Sequence, residues 1–246
     1  MLRFTTEPAK NLGKIAIISV DNTLLMTAGD SGKVAFWSIS KNIQQKQLFE
    51  AQIHTLEVTA GAISPDQLYA CTTSNDKTCK VFELKPKITL IRTLSLSLNP
   101  GQPLLTFRSC LFTSDSKTLI TLSIQAKIGS YVTEWNPQNG FLPIESFKVH
   151  DHPSCQLVLD PIGRQYILGG NNGVIKVISA ENYGSRYSQE LFEMPVTGVS
   201  VQAKDRVVVV GSADYSYQVI ALPSGAGWRV WLVLAILVAA IAALMV

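Results

Sequence analysis

Short apolar runs separated by polar turns recur through the first 222 residues, and one unbroken apolar stretch follows them. Five segments share one pattern: residues 14–39, 56–84, 107–137, 155–180 and 196–222. Each reads as a strand, a turn with Asp or Pro, an apolar strand, a turn rich in Gly, Asn or Asp, and a closing apolar strand. Alternation in VAFWSI and VIKVIS sends every second residue to a buried face, as a pleated strand requires. Asp30-Ser31-Gly32, Asn75-Asp76-Lys77, Asn171-Asn172-Gly173 and Ala213-Asp214-Tyr215 occupy one equivalent turn before the third strand. Asn and Asp bond their own backbone and Gly accepts positive φ, so these residues suit tight antiparallel turns. Trp37, Phe82, Trp135, Val177 and Val219 are the expected apolar plugs between sheets.

The spacing of the units predicts the fold. Asp21, Asp66, Asp115, Asp160 and Asp205 stand 45, 49, 45 and 45 residues apart. That period, with three or four short strands per unit, is the signature of WD-repeat propeller blades. The expectation is an all-β WD-repeat β-propeller over residues 1–222, with five blades, plus one C-terminal transmembrane helix. A generic β-sandwich would not need a fixed repeat. Propellers usually hold about four to eight blades, and an unclosed ring leaves open edges. Either the five units close by themselves or further blades precede them; residues 1–11 could add at most one strand.

Residues 230–246 run without a charge or a strong hydrogen-bonding side chain. A helix needs roughly 17–25 apolar residues to cross a bilayer, so this segment is at the short end. Trp228 and Trp231 flank Arg229 and mark an interfacial edge, so these three residues are the expected membrane-anchor positions. Residues 223–229 read as a linker. A buried core helix would show polar positions on one face, and a glycolipid-anchor signal would require secretion. MLRFTTEPAK does not resemble a signal peptide, which predicts a single-pass protein whose propeller faces the cytosol. A short span suits a thin bilayer such as the endoplasmic reticulum.

Composition narrows the chemistry. The net charge is +3, and no basic run or aromatic-basic stripe argues for nucleic acid. Cys71, Cys79, Cys110 and Cys155 fall at wide spacings without CxxC, as expected for reduced thiols of a cytosolic domain. His54 precedes the second unit, where a structural histidine would bond within its blade. His150 and His152 flank Asp151, but a metal site needs three or four convergent ligands. Gly169, Gly170 and Gly173 lie between strands and do not lead into a helix, so they are turn residues. No GxSxG or Ser-His-Asp grouping can be assigned. The sequence therefore predicts no catalytic, cofactor-binding or metal residue, and no cofactor.

Repeated blades joined to an apolar tail carry a resemblance to a known family. SVDNTLLMTAGDSGKVAFW at residues 19–37 is similar to a mid-propeller blade of the Sec-twelve family, the ER-membrane guanine-nucleotide exchange factors of the COPII coat. Residues 56–66 with 76–82 resemble the next blade. FRSCLFTSD at residues 107–115 resembles a family phrase that opens a blade, followed by a long excursion, here residues 122–131, before VTEW. Residues 194–201 and 207–217 resemble the last blade, before a tryptophan-containing span. The resemblance implies a Sar-type small GTPase as partner, the lipid bilayer as anchor site, and GDP release for ER-to-Golgi transport without a chemical step. The family propeller has seven blades and a glycine-rich, potassium-binding loop; no run of four glycines occurs in this sequence. No catalytic residue is carried over. A tail-anchored WD scaffold that recruits cytosolic proteins is the alternative expectation.

Overall fold

The computed structural model describes residues 13–222, except 40–45, 161, 163, 203 and 205. Trp228, Arg229 and Trp231, with the whole expected span, lie outside the described residues, as does Asp205. Among the described residues no helix is long and apolar enough to cross a membrane.

The strands form five antiparallel meanders. Blade 1 holds β1 (Gly13–Ile18), β2 (Leu24–Gly29), β3 (Lys33–Ser38) and β4 (Lys46–Gln52). Blade 2 holds β5 (Val58–Ile63), β6 (Tyr69–Ser74), β7 (Cys79–Glu83) and β8 (Thr89–Leu94). Blade 3 holds β9 (Thr106–Phe112), β10 (Leu119–Gln125), β11 (Gly129–Asn136) and β12 (Leu142–His150). Blade 4 holds β13 (Ser154–Asp160), β14 (Gln165–Gly170), β15 (Val174–Ser179) and β16 (Ser185–Glu190). Blade 5 has three described strands, β17 (Val196–Gln202), β18 (Val207–Ser212) and β19 (Tyr217–Ala221). A short 3₁₀ turn, Pro137–Asn139, links β11 to β12. The outer strands β4, β8, β12 and β16 are largely exposed, so they carry little of the buried apolar alternation that marks the inner three.

The first strands of successive blades, β1, β5, β9, β13 and β17, pack side by side in that order. Between neighbouring blades lie four apolar cores. Met26, Phe36 and Phe82 join blades 1 and 2; Phe107 and Trp135 join blades 2 and 3. Leu122, Tyr166 and Ile178 join blades 3 and 4, and Ile167, Val177 and Val208 join blades 4 and 5. Five sheets closed into a ring would bury a fifth core, and none occurs among the described residues. Instead Ile18 on blade 1 is 55% exposed, and Val209 and Val219 on blade 5 are 43% and 59% exposed. The described blades form an open arc, not a self-closed ring.

Several sequence expectations need correction. The plug position of Trp37, Phe82 and Trp135 faces the preceding blade, and its equivalents are Ile178 and Ile220. Val177 and Val219 stand one residue earlier. Because strand side chains alternate, a one-residue slip puts them on the opposite face. Val177 is still buried, against blade 5, whereas Val219 faces open space. The acids are not one repeated turn residue either. Asp21, Asp66 and Asp115 each accept from Ser19, Ser64 and Thr113 hydroxyls at 2.6, 2.6 and 2.7 Å. Asp160 instead takes the place of that Ser or Thr at the end of β13. It is fully buried, accepts from Gln165, and pairs with Arg206 of blade 5 at 3.3 Å. Finally, residues 122–131 are no excursion: they belong to β10 and β11, joined by a turn at residues 126–128.

Candidate functional site

Polar residues buried inside the blades decide whether the interior is chemical or structural. The loop from β4 into β5 lays His54 across blade 2. Its Nδ1 lies 2.9 Å from Asp76 Oδ2, and its Nε2 lies 2.9 Å from Thr72 Oγ1. Asp76 also accepts from the Thr55 and Thr78 amides and the Thr78 hydroxyl, at 3.1, 2.9 and 2.6 Å. Burial lowers the His54 pKa more than the Asp76 charge raises it. Burial raises Asp76, but the Thr78 bond, the His54 charge and the Thr55 amide together hold it below the ordinary carboxylate value. The cluster is closed and partnered, so it is a structural pin, as expected for His54. Blades 1 and 3 use the same strand position differently. The indoles of Trp37 and Trp135 donate to Thr27 and Thr121, which match Thr72, at 3.0 and 2.8 Å.

The His150-Asp151-His152 run does not assemble a ligand set. His150 is buried with Nδ1 3.2 Å from the Ser154 hydroxyl, while exposed Asp151 pairs with Lys148 at 2.8 Å. Among the described residues no group of three or more His, Cys, Asp or Glu side chains is placed to hold a metal. Three thiols do converge where their spacing gave no hint. Cys71, Cys79 and Cys110 share the core between blades 2 and 3, and burial pushes the Cys71 thiol well up. Cys155 is half-buried on β13, and burial raises its thiol against the lowering effect of Arg108. Reactive thiolates need a lowered pKa, and the Cys71, Cys79 and Cys155 thiols are shifted the other way. Of the three glycines read as turn residues, only Gly173 serves a turn, with φ +77 at its counterpart Gly32 and +75 at Gly173 itself; Gly169 and Gly170 are buried residues of β14.

Two features open to solvent. A groove of about 500 Å³ between blades 3 and 4 is lined by Asp115, Glu134, Arg164, Tyr166 and Glu181. Tyr183 donates to Glu134 and stacks between Phe147 at 4.2 Å and Tyr166 at 5.8 Å. Burial raises Tyr166 to about 12 and Tyr183 further still, so both phenols stay protonated and offer no base at neutral pH. The second feature is a polar chain at the ends of the inner strands of three blades, running from β1 to β9 through the loop residues Glu57 and Asn75. Lys14 bonds Glu57 at 2.8 Å, Glu57 accepts from the Asn75 amide, and Asn75 accepts from Arg108 at 3.0 Å. Neither feature pairs a nucleophile with a base.

Comparison with known proteins agrees with the geometry. The family "WD domain, G-beta repeat" matches residues 45–83, which cover β4 to β7. Eukaryotic translation initiation factor 3 subunit I of Drosophila ananassae is 26% identical over 183 residues, covering 71% of this chain and 52% of that protein. The same subunit of Drosophila mojavensis matches equally, at 26% over 183 residues. The chain thus spans about half the length of the curated relatives it matches. Among solved structures, the Cps50 (Swd1) β-propeller domain of Myceliophteria thermophila superposes with a TM-score of 0.72 at 11% identity. That superposition covers 91% of this chain and 69% of the other, and at this identity it speaks to fold. The described residues are an all-β WD-repeat propeller arc.

Proposed function

We propose that this WD-repeat propeller is a membrane-tethered exchange factor of the Sec-twelve type, activating a Sar-type small GTPase at the endoplasmic reticulum to start COPII budding. The observation that carries the reading is the combination in one chain of repeated blades and the apolar run at residues 230–246. The blade phrases similar to that family support it. FRSCLFTSD forms β9 and its following turn, which sets Arg108 in the inner-strand polar chain. In this reading the chain performs no covalent step. An exchange factor accelerates GDP release by binding the nucleotide-free GTPase better than the loaded one, a shift bounded by that difference in affinity. Anchoring through the apolar run, with the propeller toward the cytosol, would confine activation to one membrane.

A second reading is a WD scaffold without exchange activity. The similarity to a translation initiation factor subunit favours it, because it asks only for a recognition surface. Release of fluorescent GDP from a Sar-type GTPase, measured with the full chain reconstituted in vesicles, separates the two. Acceleration that rises with chain concentration supports the exchange factor. Binding of the GTPase without faster release leaves the scaffold, and no binding at all removes both the partner and the family assignment.

A further inference from the structure

The two ends of the arc differ in charge, and the chain leaves the propeller at the basic one. In each meander the loops joining first to second and third to fourth strands lie at one end, and the remaining loops lie at the other. The first set carries six described basic residues, Lys85, Lys87, Lys117, Arg164, Lys204 and Arg206, of which Arg206 is paired with buried Asp160 at the end of β13 and Arg164 with Glu181, leaving the four lysines. Against them stand four acids, Asp21, Asp66, Asp115 and Glu181. The opposite set carries only Lys77 and Lys127, against Asp30, Glu57, Asp76, Asp151, Glu193 and Asp214. Exposed aliphatic side chains occur at both ends, for example Val20 and Ile162 at the basic end and Leu56 and Met194 at the acidic one. Charge, not hydrophobicity, therefore distinguishes them.

β19 runs from the acidic end to the basic end, so Leu222 emerges among the basic loops. Seven residues, 223–229, separate it from the apolar run. Even fully extended, a residue spans at most about 3.6 Å. The basic end is thus held within roughly 25 Å of any bilayer that the run enters.

We propose that the basic end of the propeller, centred on Lys85, Lys87, Lys117 and Lys204, docks on anionic lipid headgroups, leaving the acidic end turned away from the membrane. The inference rests on the anchor reading above. Cytoplasmic leaflets carry negative surface potential that attracts lysines close to the membrane and fades within a Debye length, about 8–10 Å at physiological salt. A tether of at most roughly 25 Å lets the loops reach that layer without leaving the anchor. Docking fixes the tilt of the propeller and presents the acidic loops to a soluble partner.

Lysine acylation of the full chain, read residue by residue by mass spectrometry, tests this in vesicles of phosphatidylcholine with or without phosphatidylserine. With phosphatidylserine, Lys85, Lys87, Lys117 and Lys204 should be labelled at least about threefold more slowly, with Lys77 and Lys127 unchanged. High salt should abolish the difference, and K85E/K87E should restore labelling at Lys117 and Lys204. Equal labelling in both lipids, from a chain that resists alkaline carbonate extraction, overturns the docking alone. Extraction by carbonate from both vesicle types overturns the anchor and the docking with it.

Discussion

Residue-level chemistry in this protein is mostly the pinning of loops to blades. His54 is held neutral because burial disfavours its charge. Its folded pKa lies below the ordinary 6.5, so the unfolded chain takes up the proton first as pH falls. The stability it contributes is complete above about 6.5 and is lost as pH drops toward the lowered value. His150, also lowered chiefly by burial, adds to the same window. Thermal unfolding of the full chain should therefore show a falling midpoint between pH 7.5 and 5.5, and H54Q/H150Q should flatten that dependence. A midpoint independent of pH in the parent would contradict the burial assigned to both rings. Asp76→Ala is expected to cost about 1–3 kcal/mol at neutral pH, since it leaves the Thr55 amide without its acceptor and His54 Nδ1 with only the Thr78 hydroxyl at 3.2 Å. Denaturant unfolding measures it.

At the scale of elements, the loops that cross from one blade to the next set which turns need glycine. A Cβ on Gly32 would meet the His54 carbonyl at 2.2 Å, and one on Gly173 would meet the Phe192 carbonyl at 1.7 Å. Tyr215 holds the corresponding turn position in blade 5 with φ +64, and it is fully exposed because no described loop crosses it. Gly173→Ala should then destabilise by more than about 2 kcal/mol through forced backbone movement, whereas Tyr215→Gly should be neutral or slightly stabilising. Comparable losses at both positions would mean that Tyr215 is also covered. The turns at Gly32 and Gly173 were readable in the sequence because only a few residue types accept positive φ, whereas Gly169 and Gly170, read the same way, are strand residues of β14. The plug register was readable where tryptophan marked it, at Trp37 and Trp135, and slipped where valine and isoleucine are interchangeable neighbours, at Val177-Ile178 and Val219-Ile220. The outer strands escaped because their exposed residues have no reason to alternate. The convergence of Cys71, Cys79 and Cys110 escaped because it depends on β6, β7 and β9 meeting across two blades, which no local pattern encodes. The closed His54 cluster was foreseen as structural, but its partners Thr72 and Asp76 lie 18 and 22 residues away.

For the whole molecule, each blade is stabilised mainly by its neighbours, so an arc behaves as a short linear array. Inner blades bury both faces, whereas blades 1 and 5 each bury one. A repeat array has stability that sums over such interfaces, and the units with fewest interfaces open first. Blade 5 shares this count with blade 1, and Tyr217 and Val219 of its β19 are 74% and 59% exposed. Hydrogen exchange on the full chain should therefore show a gradient. Amides of β6, β10 and β14, buried at the centre of their sheets, should exchange slowest, and those of β18 and β19 at least about a hundredfold faster. Val219→Thr should leave both rates and stability within about 0.5 kcal/mol, because the side chain touches no neighbouring sheet. Ile178→Ala, on the face packed against blade 3, should cost about 2–5 kcal/mol and accelerate exchange in blades 3 and 4 together. Uniform protection across all five blades, with Val219→Thr as costly as a core change, would show that another sheet covers the end of the arc in the assembled protein. A gradient that matches the count of buried faces would show that the arc stands open as the structure describes it.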